Sequence, residues 1–161
     1  MTRPSKDLSN RRQAILDATW AALAAGGPSH LTIRVIARIA GIDPALIYHY
    51  FNSKADLLRA AINIPIELAE ALSEPQLSLG DKFALLESPV FRAWTASLLA
   101  CTADAPEIEG DELRKLVELL LPQEGIRDEA VVIGLLAGRY LYRLEPLASV
   151  PVTDLDLILC S

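Results

Sequence analysis

The sequence predicts an all-α protein. Apolar residues recur three and four positions apart along most of the chain, as they do on one face of a helix, and no segment of useful length alternates apolar and polar residues. Prolines and glycines divide these periodic stretches into helix-sized pieces. A chain of 161 residues can form one domain of ordinary size or two small ones, and it can bury a core without disulfides.

The first helix is predicted over residues 10–25. Gly26 and Gly27 follow it and provide a stop signal. Small and apolar residues recur along one face, which we expect to be buried. The residues on that face are Ile15, Ala18, Thr19, Ala22 and Leu23.

Two shorter helices follow, joined by a tight turn. Thr32 is a suitable N-cap for the second helix, and Gly41 a suitable end. Asp43 at the N-cap and Pro44 at the first helical position open the third helix. Two helices joined by three residues that include a glycine have the outline of a helix-turn-helix. The buried face of the second helix is expected to hold Ile33, Ile36, Ala37 and Ala40.

The third helix is predicted to have two different faces. The inner face packs on the first two helices and holds Leu46, Ile47, Tyr50 and Phe51. The outer face is presented to a partner and holds Pro44, Ala45, Tyr48 and His49. The small residues at the N-terminal end would let that end approach another surface closely, as in a major groove.

A fourth helix is predicted to begin at Lys54. Ser53 and Asp56 have the spacing of a capping box, so the N–H groups at this helix start would face a phosphate, with Lys54 as a mobile cation. Thr32 offers a hydroxyl to a second phosphate. Taken singly, each feature also has an ordinary interpretation, since a capping box usually marks only a helix start and most lysines are merely solvated.

Charge is distributed unevenly along the chain. The net charge is −6, but residues 1–61 carry +4 and the remaining residues carry −10. A basic module joined to an acidic one is expected when only the first binds nucleic acid. Chance unevenness within a single domain is the alternative.

Together these segments resemble the TetR family of transcriptional regulators. The resemblance runs from RRQAILDATWAALAAGG through LTIRVIARIAGIDPALIYHYFNSKADLL, about 50 residues, and is most specific in IARIAGI, LIYHYF and SKADLL. It implies an N-terminal three-helix helix-turn-helix DNA-binding domain at 1–62, followed by a helical ligand-binding and dimerisation domain at 63–161. It also implies phosphate contacts by Thr32, Tyr48 and Lys54.

The resemblance further implies base contacts by one set of residues, namely Arg34, Asp43, Pro44, Ala45 and His49. Arg34 is the best candidate for a guanine because its guanidinium matches O6 and N7. Asp43 departs from the family, in which a neutral Ser or Thr is more common. Its carboxylate would either accept from a cytosine amino group or cap the helix.

The second domain is predicted to be helical throughout, in segments near 65–74, 79–87, 89–103, 110–121, 127–145 and 152–160. An apolar effector pocket would be lined by Phe91, Trp94, Leu98 and Tyr140. The alternative is that these side chains simply fill the core.

A dimer surface is predicted on the penultimate helix. Gly134 and Gly138 lie four residues apart beside Ala137, and glycine inside a helix costs roughly 1 kcal/mol relative to alanine, so a closely packed helix is expected there. The resemblance implies that this helix helps to form a four-helix interface between two subunits.

We therefore predict a ligand-responsive repressor that binds an inverted-repeat operator in double-stranded DNA as a homodimer, with a small apolar effector. The alternative is a helical protein-interaction module whose helix-turn-helix-like unit no longer binds DNA. The sequence predicts no enzyme, cofactor or metal site, because Cys101, Cys160 and the two histidines lack suitably spaced partners. It predicts no membrane span, and the expected location is the cytoplasm.

Overall fold

The computed structural model describes residues 4–104, 106–121, 126–145 and 147–154. The chain divides into two compact units, Met1–Asn63 and Ile64–Ser161. The predicted all-α class is confirmed, since the described residues of both units form helices joined by turns. Within the described residues, no helix is long and apolar enough to cross a membrane.

Four α-helices form the first unit. They are α1 (Pro4–Gly26), α2 (Ile33–Ala40), α3 (Pro44–Tyr50) and α4 (Lys54–Ile62), with a 3-10 turn at Pro28–His30. The first helix begins six residues before its predicted start at residue 10. Pro4 stands at its first position, where proline is tolerated because the missing N–H has no intrahelical partner.

The core of the first unit follows the predicted helical faces. All five residues on the predicted inner face of α1 are buried. On α2, Ile36 and Ala37 are no more than 2% exposed, whereas Ile33 and Ala40 are only partly buried. The Trp20 indole Nε1 donates a hydrogen bond of 2.8 Å to the Ala61 carbonyl. This bond ties α1 to α4 and satisfies a buried polar group that would otherwise cost stability.

The second unit contains α5 (Ile66–Leu72), α6 (Leu79–Leu86), α7 (Pro89–Asp104), α8 (Pro106–Leu120) and α9 (Ile126–Leu136). A π-helical turn at Ala137–Leu141 continues α9, and a 3-10 turn lies at Val152–Asp154. Its core holds Phe83, Trp94, Leu98 and Leu116, each fully buried.

Two predicted helix boundaries in this unit are wrong, and a third prediction lies mostly outside the described residues. α8 begins at Pro106 rather than residue 110, because the proline starts the helix instead of ending the preceding segment. The helix predicted over 127–145 changes to π geometry at Ala137, and the Leu144 N–H closes it by donating to the Gly138 carbonyl. Of the last predicted helix, residues 152–154 form the 3-10 turn, and residues 155–160 lie outside the described residues.

A partly buried ionic cluster lies at the corner between α6 and α7. One oxygen of Glu87 accepts from Arg139 Nε at 2.5 Å and from the Tyr140 hydroxyl at 3.0 Å. The other accepts from Arg92 Nη1 at 2.8 Å. Burial alone would raise the pKa of Glu87, but the hydrogen bonds from Arg139 and Tyr140 and the positive charges of Arg139 and Arg92 hold that pKa below its ordinary value. Burial, with the neighbouring negative charge of Glu87, raises the pKa of Tyr140.

Arg139 also holds the segment that follows the π-helical turn. Its Nη1 donates to the carbonyls of Leu147 and Val150 at 2.8 and 2.7 Å. The Leu147 side chain packs against Gly138, where an added Cβ would lie only 2.6 Å from Leu147 Cδ1. One buried guanidinium therefore joins Glu87 to the backbone of residues 147–150.

Candidate nucleic-acid interface

The turn between α2 and α3 depends on a glycine. Gly41 has a φ of 66°, in the left-handed region where residues with a Cβ are strained. The Ile42 N–H then donates to the Ala37 carbonyl at 3.0 Å, which satisfies one of the last carbonyls of α2. This closure sets the direction in which α3 leaves α2.

The start of α3 is fixed by Asp43. Its Oδ1 accepts from the Ala45 N–H at 2.7 Å, and Pro44 occupies the first helical position. The predicted N-cap is confirmed, so one carboxylate oxygen is committed to the helix. A base contact by Asp43 stays a prediction.

The two faces of α3 separate as predicted. Ile47 is completely buried and Phe51, which follows the helix, is 5% exposed. Tyr48 is 55% exposed, and the exposed His49 ring stands edge-to-face against Tyr50 at 5.3 Å. A helix this short is unstable alone, so Ile47 and Phe51 hold it in place while Tyr48 and His49 face outward.

Two further helix starts are capped by hydroxyl groups. Thr32 Oγ1 accepts from the Val35 N–H at 3.2 Å, and Ser53 Oγ accepts from the Asp56 N–H at 3.0 Å. Each hydroxyl uses an acceptor site here and keeps its proton for donation. Of the capping box predicted at α4, the serine half is formed, and the Asp56 carboxylate contacts Arg59 at 3.5 Å.

All the residues predicted to contact DNA are exposed in the structure. They lie at or near the starts of α2, α3 and α4 and along the outer face of α3, and they are Thr32, Arg34, Asp43, Pro44, Ala45, Tyr48, His49 and Lys54. Exposure is a condition for contact with DNA, and the individual contacts stay predictions.

The residues predicted for an effector pocket lie in the core of the second unit. Trp94 and Leu98 are fully buried, Tyr140 is 4% exposed and bonded to Glu87, and Phe91 is partly buried. A separate open groove of about 270 Å³ runs between α8 and α9, with Leu113, Val117 and Ile133 among its lining residues.

The three residues predicted for the dimer surface differ in their surroundings. Gly134 is exposed, and no described atom outside its own stretch of helix lies within 4 Å of an added Cβ. Ala137 is partly buried. The close approach predicted at Gly138 is made by Leu147 of the same chain, so the glycine is explained within one subunit.

Sequence reasoning missed the contact between Arg12 and Phe51. The Arg12 guanidinium carbon lies 5.1 Å from the centre of the Phe51 ring. The two residues are far apart in sequence and on different helical segments. No regular spacing in the sequence links Arg12 to Phe51. The charge count of residues 1–61 included Arg12 but could not show which residue it contacts.

Residues 15–61 match the model of a protein family described as bacterial regulatory proteins, tetR family. The matched stretch contains α2, the turn, α3 and nearly all of α4. Residues 15–61 are therefore a helix-turn-helix segment of the TetR type.

Two curated relatives show how far the sequence similarity extends. The HTH-type transcriptional regulator BetI of Rhizobium meliloti is 46% identical over 52 residues, which are 32% of this chain and 26% of the relative. BetI 2 of Chromohalobacter salexigens is 33% identical over 101 residues, or 62% of this chain and 45% of the relative. The matches thus span less than half of either relative.

Solved structures share the TetR fold over almost the whole chain. NalD, the secondary repressor of the MexAB-OprM multidrug efflux pump in Pseudomonas aeruginosa, has a TM-score of 0.61 at 24% identity and covers 96% of this chain and 94% of its own. The putative transcriptional regulator SCO7518 of Streptomyces coelicolor has a TM-score of 0.57 at 20% identity, with coverage of 94% and 99%. At these identities the likeness concerns the fold alone.

Proposed function

We propose that this TetR-family protein is a DNA-binding transcriptional repressor that acts in the cytoplasm as a homodimer on an inverted-repeat operator. The observation that carries the proposal is α3 itself. It is capped by Asp43, anchored by Ile47, and presents Tyr48 and His49 outward. Two such helices, one from each subunit, would enter successive major grooves about one helical turn apart.

The contacts would divide into two kinds. Thr32, Tyr48 and Lys54 would bind phosphates and set the register of the protein on the duplex. Arg34, exposed in the first turn of α2, would read a guanine, and the outer face of α3 would supply the remaining base contacts. The positive net charge of residues 1–61 supports this assignment, because non-specific attraction to DNA depends on it.

Dimerisation would use the surface of α8 and α9. The groove between them has an apolar floor at Val117 and an exposed Ile133, and Gly134 leaves room for another helix to approach. A dimer is needed because one helix-turn-helix reads too few base pairs for tight and specific binding.

A small apolar effector would act through the second unit. Because Trp94 and Leu98 are fully buried, a ligand that reaches them must shift the packing of α7. Such a ligand changes DNA binding only by its difference in affinity between the two states, typically about 1–3 kcal/mol.

The experiment that tests the function is selection of bound sequences from random duplex DNA, followed by titration of the winners at several salt concentrations. Recovery of a two-fold symmetric motif, with an affinity that falls steeply with salt, would support a dimeric DNA reader. Absence of any enrichment would instead favour a protein-interaction module.

Substitutions at the phosphate contacts and at the base contacts should affect DNA binding in different ways. Lys54→Ala should weaken binding to all sequences and reduce the fall of log affinity with log salt by about 1. Tyr48→Ala removes a neutral donor, so it should weaken binding to all sequences while the salt dependence stays close to that of the parent. Arg34→Ala should mainly relax discrimination at one base pair, at a cost of about 1–3 kcal/mol. Fluorescence anisotropy on the selected operator and on single-base variants measures both effects. Parent-like binding by all three variants would refute the assignment.

The dimer surface has its own test. Ile133→Glu places a charge in the α8–α9 groove and is expected to shift sedimentation from dimer to monomer and to weaken operator binding at least tenfold, about 1.4 kcal/mol. Ile66→Glu is the matched control, because Ile66 is still more exposed and lies on α5. A dimer that persists in the Ile133 variant, or that is lost in both, argues against this surface.

A further inference from the structure

The exposed side chain of Arg12 lies over the corner between α3 and α4. Its guanidinium carbon is 5.1 Å from the centre of the Phe51 ring. Phe51 ends α3, because its own backbone is extended while its N–H still donates to the Ile47 carbonyl at 2.9 Å. The residue is only 5% exposed. Arg12 therefore covers a ring whose position is fixed by the core.

The ring holds the guanidinium in a defined place. A cation within about 6 Å of a ring centre is attracted to the ring face, and this attraction does not use the N–H donors of a guanidinium. Among the side chains that the structure describes, no carboxylate lies within 4 Å of Arg12. The donors are thus available to an anion at the surface of the first unit.

The residues that follow Phe51 indicate a role for Arg12. Phe51 is followed by Asn52, by the N-cap Ser53 and by Lys54 at the first position of α4. Arg12 therefore lies against Phe51, which comes three residues before Lys54 in the chain. An arginine in that place would lose little side-chain entropy on binding an anion, because its rotamer is already restricted.

We propose that Arg12 is a further DNA contact, which donates to a backbone phosphate beside the one bound by Lys54, and that Phe51 is the residue that positions it. This inference rests on the proposed function. It adds a cation from α1 to contacts that otherwise come from α2, α3 and α4.

A merely structural cation–π pair would behave differently in a salt titration. Phosphate binding releases counterions, so loss of one contact lowers the slope of log affinity against log salt, whereas a small loss of stability leaves the slope unchanged. The salt dependence of the affinity therefore distinguishes a phosphate contact from a purely structural cation–π pair.

The test compares Arg12→Gln with Arg11→Gln in the full chain. Arg11 is the adjacent residue on the same helix, is also exposed, and loses the same charge. We expect Arg12→Gln to weaken binding to any duplex roughly fivefold at low salt and to lower the slope by about 1. Arg11→Gln should change affinity by less than about twofold through the general field alone. Thermal unfolding by circular dichroism verifies that both variants fold.

A third variant, Phe51→Leu, keeps every charge and removes the ring. It is expected to weaken binding less than Arg12→Gln and to leave the salt slope at the parent value. An unchanged slope in Arg12→Gln, or equal losses in the Arg11 and Arg12 variants, would overturn the inference while the DNA-binding function stood. Failure of the parent to bind any duplex would instead remove the proposed function and this contact together.

Discussion

Arg139→Met should lower the free energy of unfolding of the second unit by about 3 kcal/mol, the lower end of the range for breaking a buried ion pair. The substitution leaves Glu87 with Arg92 and Tyr140 alone and deprives the carbonyls of Leu147 and Val150 of their donor. Methionine keeps most of the side-chain length, so the loss is chiefly electrostatic. The lower end applies because the Glu87 side chain is still 23% exposed.

Denaturant unfolding monitored by tryptophan fluorescence and circular dichroism measures the loss. Lys115→Met is the control, since Lys115 pairs with Glu112 on the surface with 59% of its side chain exposed, and exposed pairs of this kind contribute little to stability. Amide hydrogen exchange should show faster opening of residues 147–150 in the Arg139 variant only. Similar small losses in both variants would mean that the cluster contributes little to stability.

The size of the Arg139 effect should also depend on pH. Because the folded pKa of Glu87 lies below its ordinary value of about 4.3, its stabilisation is present above that value and is lost as the pH falls through the lower folded value. The difference between parent and Arg139→Met should therefore be constant from about pH 7 to pH 5.5 and shrink below about pH 4. A difference that stays constant into acid would show that Glu87 does not contribute through its charge.

The features that the sequence predicted well are local. The caps at Thr32, Asp43 and Ser53 bond to groups two or three residues away, and Gly41 acts through its own φ. Such relations are fixed by spacing, so one sequence is enough to find them. The two faces of α3 followed from helical periodicity for the same reason, and Ile47 is buried while Tyr48 is exposed, as expected.

The features that the sequence did not predict join distant residues. Glu87 meets Arg139 and Tyr140 more than 50 positions away, and the Lys82 ammonium donates to the Leu119 and Leu120 carbonyls at the end of α8. Nothing in the spacing of a single sequence identifies such pairs.

Gly138 shows a related limit of prediction from a single sequence. The glycine correctly indicated a close approach, but its sequence context could not show whether the approaching group came from a partner or from Leu147 of the same chain. Pro106 was ambiguous for a similar reason, because proline both ends one helix and starts another.

Ile47→Ala should lower the free energy of unfolding of the first unit by about 2–5 kcal/mol, as for other fully buried aliphatic side chains. Ile47 is 0% exposed, and the other residues of α3 are partly or fully exposed. Because α3 has seven residues, it depends on this anchor more than a long helix would. Ile39→Ala is the matched control, since Ile39 lies on α2 with 45% exposure and its loss should cost less than about 1 kcal/mol.

The same substitution separates the anchoring of α3 from contact with DNA. If α3 undocks for part of the time, the apparent Kd for the operator rises in inverse proportion to the docked fraction. The complex that does form still contacts the same phosphates, so the salt slope should equal that of the parent. Lys54→Ala should give the opposite pattern, with parent-like stability and a smaller slope. An Ile47→Ala variant with a reduced slope would mean that the docked helix had moved on the DNA, and the division of α3 into an anchoring face and a contacting face would be wrong.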